Sequence, residues 1–134
     1  MRKDSRLSRV LHILVHLSSS DEPVTSETLA AMLRTNAVVV RRTMALLREK
    51  GFVQSAKGHK GGWTALKPLS QITLLDIHQA LGESSVFTIG LTDEHNNCRI
   101  EHAVNHALQE TMEEAQSLLL KRFSEITLDS FAVL

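Results

Sequence analysis

Residues 98–123 contain neither glycine nor proline. Within them Ile100, Val104, Ala107, Leu108, Met112, Ala115, Leu118 and Leu119 recur at three- and four-residue intervals. That pattern predicts one long helix with an apolar stripe. At 1.5 Å per residue it would be roughly 39 Å long. A chain of 134 residues cannot cover such a helix with its own body. The stripe needs a partner, and a second copy of the chain is the simplest one. Ile100, Val104, Leu108, Met112, Ala115 and Leu119 are the expected dimerisation residues.

The body must then come from the residues before it. Leu7, Val10, Leu11, Leu14 and Leu17 mark one face of a helix over 5–18, with Asp4 or Ser5 as its cap. Serines and Pro23 break it. A short helix follows over 25–33, capped by Thr25 or Ser26, with Leu29, Met32 and Leu33 as its buried edge. Three residues later Asn36 can cap another helix, 37–50. Val40, Met44 and Leu47 should face inward there. Val38, Arg41, Arg42, Ala45 and Arg48 should face outward, and Gly51 should end the helix in a left-handed conformation. Two short helices joined this way form a helix-turn-helix, with an outward arginine pair near the start of the second.

Residues 52–56 and 62–66 read as two strands joined by KGHKG. A hairpin after a helix-turn-helix is the winged variant. Three of the six glycines fall within 58–62, beside Lys57 and Lys60. Glycine permits a sharp tip and a close backbone approach, and the lysines add charge. His59 adds a polar contact. Trp63, the one tryptophan, is expected to pin the base of the wing to the body. Pro68 punctuates, and a helix over 73–81 follows, with Thr73 and Asp76 placed as a capping box. Residues 83–97 read as a connector, and Thr127 can start a last short helix. The expected fold is mainly α with a small β-hairpin. It divides into a winged helix-turn-helix domain over 1–82 (recognition helix 37–50, wing 52–66) and a second part over 83–134. That part holds the connector, the long dimerisation helix 98–123 and the short terminal helix.

The formal net charge of zero hides a division. Residues 1–67 carry twelve Lys+Arg against five Asp+Glu, a net +7, and residues 68–134 carry the compensating −7. A basic half beside an acidic half fits a polyanion at one end. The apolar runs are too short to span a bilayer, and no cleavable leader is evident at the basic N-terminus. A single cysteine fits a reducing cytoplasm. No phosphate loop, nucleophile elbow or metal-protease helix motif is present, so an enzyme is not expected.

The stretches RRTMALLREKGFVQSAKG (41–58), GGWTALKP (61–68), ITLLDIHQAL (72–81) and EITLDSF near the end carry a resemblance. In their order the chain resembles the Rrf-two (Rrf2) family of bacterial winged-helix transcription regulators. The resemblance implies a homodimer on a palindromic operator in double-stranded DNA, usually as a repressor. By position it implies that Asn36, Val38 and Arg41 face bases and that Lys57 opens the wing. Arg41 is the candidate for direct readout, since arginine can bond guanine O6 and N7 together. Arg42, Lys57 and Lys60 are candidates for phosphate or minor-groove contact, alongside Gly58 and His59 in the wing. The plainer alternative for Arg41 and Arg42 is a solvated face paired with Glu27 or Glu49. Well-known members hold an iron–sulfur cluster with three connector cysteines. This chain has only Cys98, so no such cofactor is expected.

His95, Cys98, His102 and His106 stand at metal-ligand spacing in the acidic half. The competing reading is a polar edge of a dimer helix, which leaves the metal expectation at none. Cys98 near a helix start is also a candidate thiol sensor, answering an unknown small-molecule or redox signal. A winged-helix protein-interaction module without DNA binding is the alternative for the whole chain. The basic first half argues against it.

Overall fold

The computed structural model describes residues 4–58, 61–82, 86–94 and 97–132. Helix α1 spans Arg6–Ser19, α2 Ser26–Leu33 and α3 Ala37–Glu49. Strands β1 (Val53–Ala56) and β2 (Gly62–Ala65) form an antiparallel pair, with Val53 opposite Ala65 and Ala56 opposite Gly62. A 3-10 turn at Leu69–Gln71 leads to α4 (Leu74–Ala80). The long helix α5 spans Arg99–Glu125, and a 3-10 turn at Leu128–Phe131 closes the chain. The molecule is mainly helical with one hairpin and a long C-terminal helix, as the periodicities indicate.

Local chemistry accounts for the helix starts. Thr25 Oγ1 accepts the Thr28 amide at 3.1 Å, and Asn36 Oδ1 accepts the Val39 amide at 3.0 Å. Each satisfies an amide that has no partner within its helix. Asp4, two residues before the start of α1, accepts the Arg6 amide at 3.0 Å, while Ser5 makes no side-chain cap bond. Thr73 and Asp76 form the full reciprocal capping box, with aspartate in the place usually held by glutamate. Gly51 ends α3 at φ +85°.

Val10, Ile13, Leu14 and Leu17 of α1 pack with Leu29 of α2 and with Val40, Met44 and Leu47 of α3. Ile13 joins the face beyond the residues that the spacing picks out. Met32 leaves the expected edge of α2 and is 38% exposed, with Ala30 buried in its stead. Ser26, Leu29, Ala30 and Leu33 form the covered stripe at i, i+3, i+4 and i+7, and Met32 falls beside it.

The terminal segment is a short helix of the 3-10 type that follows Thr127, without a side-chain cap bond, and it returns to the body. The Leu74 amide donates to Ile126 O at 3.0 Å, and the Leu128 amide donates to Ile72 O at 2.9 Å. These bonds make an antiparallel bridge between Thr73 and Thr127. Leu128 is fully buried within the same core as α1 and α3. The division drawn at residue 82 is therefore crossed by Ile126, Thr127 and Leu128. α5 starts at Arg99 with Cys98 as its cap and runs two residues beyond the expected end. Near its C-terminal end the Phe123 ring meets His78 of α4 edge-on, centroids 5.9 Å apart. Most of the rest of α5 is exposed. Its one buried residue is Asn105, while Ile100, Val104, Leu108 and Leu118 are exposed.

Candidate nucleic-acid interface

The wing is held from below. The Trp63 amide donates to Val24 O at 2.8 Å, and the Val24 amide returns a bond to Trp63 O at 3.0 Å. The Trp63 indole N–H donates to Ser26 Oγ at 2.9 Å, and the Arg48 guanidinium lies 5.9 Å from the ring centroid. A half-buried indole is best served by a partner for its one donor, and Ser26 supplies it. Trp63 thus ties β2 to the start of α2 and to α3, as expected for it.

The glycines beside it follow from the same closeness. A Cβ on Gly62, which sits at φ +149°, would lie 2.7 Å from the Val24 carbonyl carbon. A Cβ on Gly61 would lie 2.7 Å from Ala56 O. Both glycines are required by the chain's own backbone, with no ligand involved. Gly58, at φ +106°, has open space around it and turns the tip, where the Gly61 amide donates to Gly58 O at 3.0 Å.

The start of α2, the first turns of α3 and the wing frame an open groove of 410 Å³, lined by Thr25, Ser26, Glu27, Arg41, Ala56 and Gly58 among others. Arg41 does not point free into solvent. Its Nη2 lies 2.5 Å from Glu27 Oε1, across the helix-turn-helix. Two causes hold the Glu27 carboxyl below its ordinary value, first a backbone amide at the helix start and then Arg41. Glu27 is the acidic partner among the alternatives for Arg41; no ion pair to Glu49 is formed among the described residues.

Of the other expected residues, only Gly58 lines this groove among those described. Val38 is 58% exposed on the first turn of α3. Asn36 uses its Oδ1 for the helix cap, which leaves its amide NH2 as a donor. Arg42 and Lys57 are exposed and have no ion-pair partner among the described residues. His59 and Lys60 lie outside the described residues. Val40, Met44 and Leu47 face the core, which fixes the outward side of α3.

In the acidic half the imidazoles turn to carboxylates. His102 Nδ1 is 2.9 Å from Glu94, and His106 Nε2 is 3.2 Å from Glu110. The Asn105 amide donates to Thr92 O at 3.1 Å, holding the connector against α5. Cys98 is exposed at the helix cap. His95 lies outside the described residues, and among those described no group of three His, Cys, Asp or Glu is placed to hold a metal ion. Sequence reasoning missed this latch of Thr92, Glu94 and Asn105, because a connector without periodicity carries no contact signal.

A capped second helix beside a hairpin pinned to the preceding helix defines a winged helix-turn-helix protein. The chain belongs to the Rrf2 family, described as an iron-dependent transcriptional regulator, whose profile it matches over residues 4–133. A protein of Bacillus subtilis (strain 168) named as an HTH-type transcriptional regulator, YwnA, is 33% identical over 113 residues, covering 84% of each chain. A crystal structure described as a DNA binding protein superposes with a TM-score of 0.74 at 28% identity, over 96% of this chain and 100% of that one. The fold is also that of CymR, the global cysteine regulator of B. subtilis, with a TM-score of 0.66 at 17% identity over 98% and 96% of the two chains. The family and relatives are transcriptional regulators rather than enzymes. Among the described residues no helix is long and apolar enough to cross a membrane.

The family description names iron, and the donor set here does not fit a cluster. Iron–sulfur clusters are held mostly by four thiolates. This chain has one cysteine, and the imidazoles of His102 and His106 lie against Glu94 and Glu110.

Proposed function

We propose that this transcriptional regulator is a cytoplasmic homodimer that binds a palindromic operator in double-stranded DNA and represses transcription, without an iron–sulfur cluster. The observation that carries the reading is the joint placement of α3 and the wing. Arg41 on α3 and Gly58 beyond β1 line one groove with Trp63, while Val38 and Arg42 are exposed on the same helix and Lys57 is exposed next to Gly58. Such a face presents apolar contact for a thymine methyl, a bidentate donor for guanine and charge for phosphates. The bare stripe of α5 supports the dimer: Ile100, Val104 and Leu108 are exposed, and Met112 and Leu119 are half-covered. Ala115 lies exposed on the same helix. Two copies joined there would set recognition helices roughly 34 Å apart, or a multiple of it, matching a palindrome. Repression is the family's usual mode. The signal, whether a small molecule or oxidation of Cys98, would act at the connector or α5 and alter that spacing.

Capture of fragmented genomic DNA by the wild type and by Arg41→Ala, at one salt concentration and followed by sequencing, tests this. Enrichment of a palindrome by the wild type, relaxed at one position per half-site in Arg41→Ala, is the expected result. Enrichment of no sequence by reduced, metal-stripped protein would leave a protein-interaction module instead.

A further inference from the structure

Resting on the DNA-binding reading above, we infer that Glu27 is an internal anion that holds Arg41 away from DNA, so that each half-site must take the arginine from this carboxylate. Glu27 and Arg41 are the only charged residues lining the groove between α2, α3 and the wing among the described residues. They neutralise each other there, on the half of the chain that otherwise carries a net +7. Arg42, the next residue, has no such partner among the described residues. The acid is thus matched to the one arginine that faces back across the turn.

The geometry lets DNA win the exchange. A single ion-pair contact is present, from Nη2 of Arg41 to Oε1 of Glu27. A guanine edge or a phosphate offers the guanidinium two parallel bonds in place of one. Both side chains are more than half exposed, at 55% and 63%, so the pair exchanges readily and contributes at the weak end for ion pairs. A surface pair of that strength leaves the free arginine a minority. That lowers apparent affinity by roughly two- to sixfold per half-site. Glu27 is therefore a positioning residue: it acts on DNA through Arg41.

The test is a double-mutant cycle. The wild type, Glu27→Gln, Arg41→Ala and the double variant are titrated onto two duplexes at one salt concentration. One carries the palindrome enriched by the wild type, and the other has scrambled sequence. Removing a carboxylate near DNA relieves general repulsion in any background, so the coupling between the two sites is the decisive quantity. The gate predicts that Glu27→Gln tightens palindrome binding by roughly two- to sixfold more per half-site when Arg41 is present than when it is alanine. A merely structural role at the start of α2 would change both backgrounds alike. Equal gains, or a loss of affinity in Glu27→Gln with Arg41 intact, overturn the gate while leaving the regulator reading in place. Enrichment of no sequence by either the wild type or Glu27→Gln, so that no palindrome is found to titrate, overturns both.

Discussion

The indole of Trp63 and the hydroxyl of Ser26 are joined by a 2.9 Å hydrogen bond that spans 37 residues of sequence. It is the bolt between the wing and the first turn of α2. Ser26 is buried, so removing the donor leaves its oxygen without a partner. Trp63→Phe should cost about 1–2 kcal/mol in urea denaturation, close to the value of one buried hydrogen bond and the orphaned group. Limited proteolysis at the wing should quicken in step. A variant as stable and as protease-resistant as the wild type would remove the bolt from the account.

Two glycines of the same loop should behave differently. Gly62→Ala drives a Cβ into the Val24 backbone at 2.7 Å, where neither side can yield. Gly58→Ala meets nothing within 4 Å and carries only the strain of a positive φ. The second should cost about 1–2 kcal/mol, and the first distinctly more. Paired thermal melts decide the order.

How much of this was legible beforehand follows the range of each interaction. The inward face of α3, the Asn36 cap and the Thr73–Asp76 box depend on residues within one or two turns, and periodicity exposes them. The bridge from Val24 to Trp63 and the one from Thr73 to Thr127 join segments with no shared pattern, so only the folded chain reveals them. The purpose of Gly61 and Gly62 was likewise hidden, because a close approach is a property of two strands and not of one. Glu27 appeared in the sequence only as one of two acids within reach of the arginines. Choosing it required the turn at Arg34 that brings the start of α2 beside α3.

That turn yields a stabilising substitution. Arg34 is the sole non-glycine residue at positive φ among the described residues, and its side chain is exposed. A left-handed residue with a Cβ carries a penalty of about 1–2 kcal/mol, which glycine avoids. Glycine also loses more freedom on folding, by about 0.5–1 kcal/mol. Arg34→Gly should therefore raise stability by up to about 1.5 kcal/mol, read as a higher denaturation midpoint. A lower midpoint would show that the guanidinium contributes more than the strain it causes.

The Glu27 carboxyl gives a pH signature with a definite sign. Its value in the folded chain lies below the ordinary 4.5, through the backbone amide first and Arg41 second. A depressed carboxyl binds its proton less readily in the folded state than in the unfolded one. Its contribution to stability is thus fully present above 4.5 and is lost as pH falls through the lower folded value. The difference in urea midpoint between the wild type and Glu27→Gln should be constant near neutral pH and shrink on acidification. A difference that grows as pH falls would contradict the depressed value.

The end of the chain should be as sensitive as its middle. Leu128 is fully buried, and its amide closes the bridge to Ile72. Truncation to alanine there should cost about 2–5 kcal/mol, as for a core leucine elsewhere. The bridge also anchors the C-terminal end of α5, from which the exposed stripe extends. Charges placed on that stripe, far from the anchor, should have the opposite profile. Ile100→Glu with Leu108→Glu changes exposed positions, so the melting of the isolated body should move little. In the proposed dimer the same charges would sit unpaired in an apolar seam, where burial of an ion is costly. Sedimentation should then show a dimer for the wild type and for Leu128→Ala that remains folded, and a monomer for the double glutamate variant. The monomer should bind single half-sites and lose its preference for the palindrome. A double glutamate variant that still sediments as a dimer would place the interface on another surface.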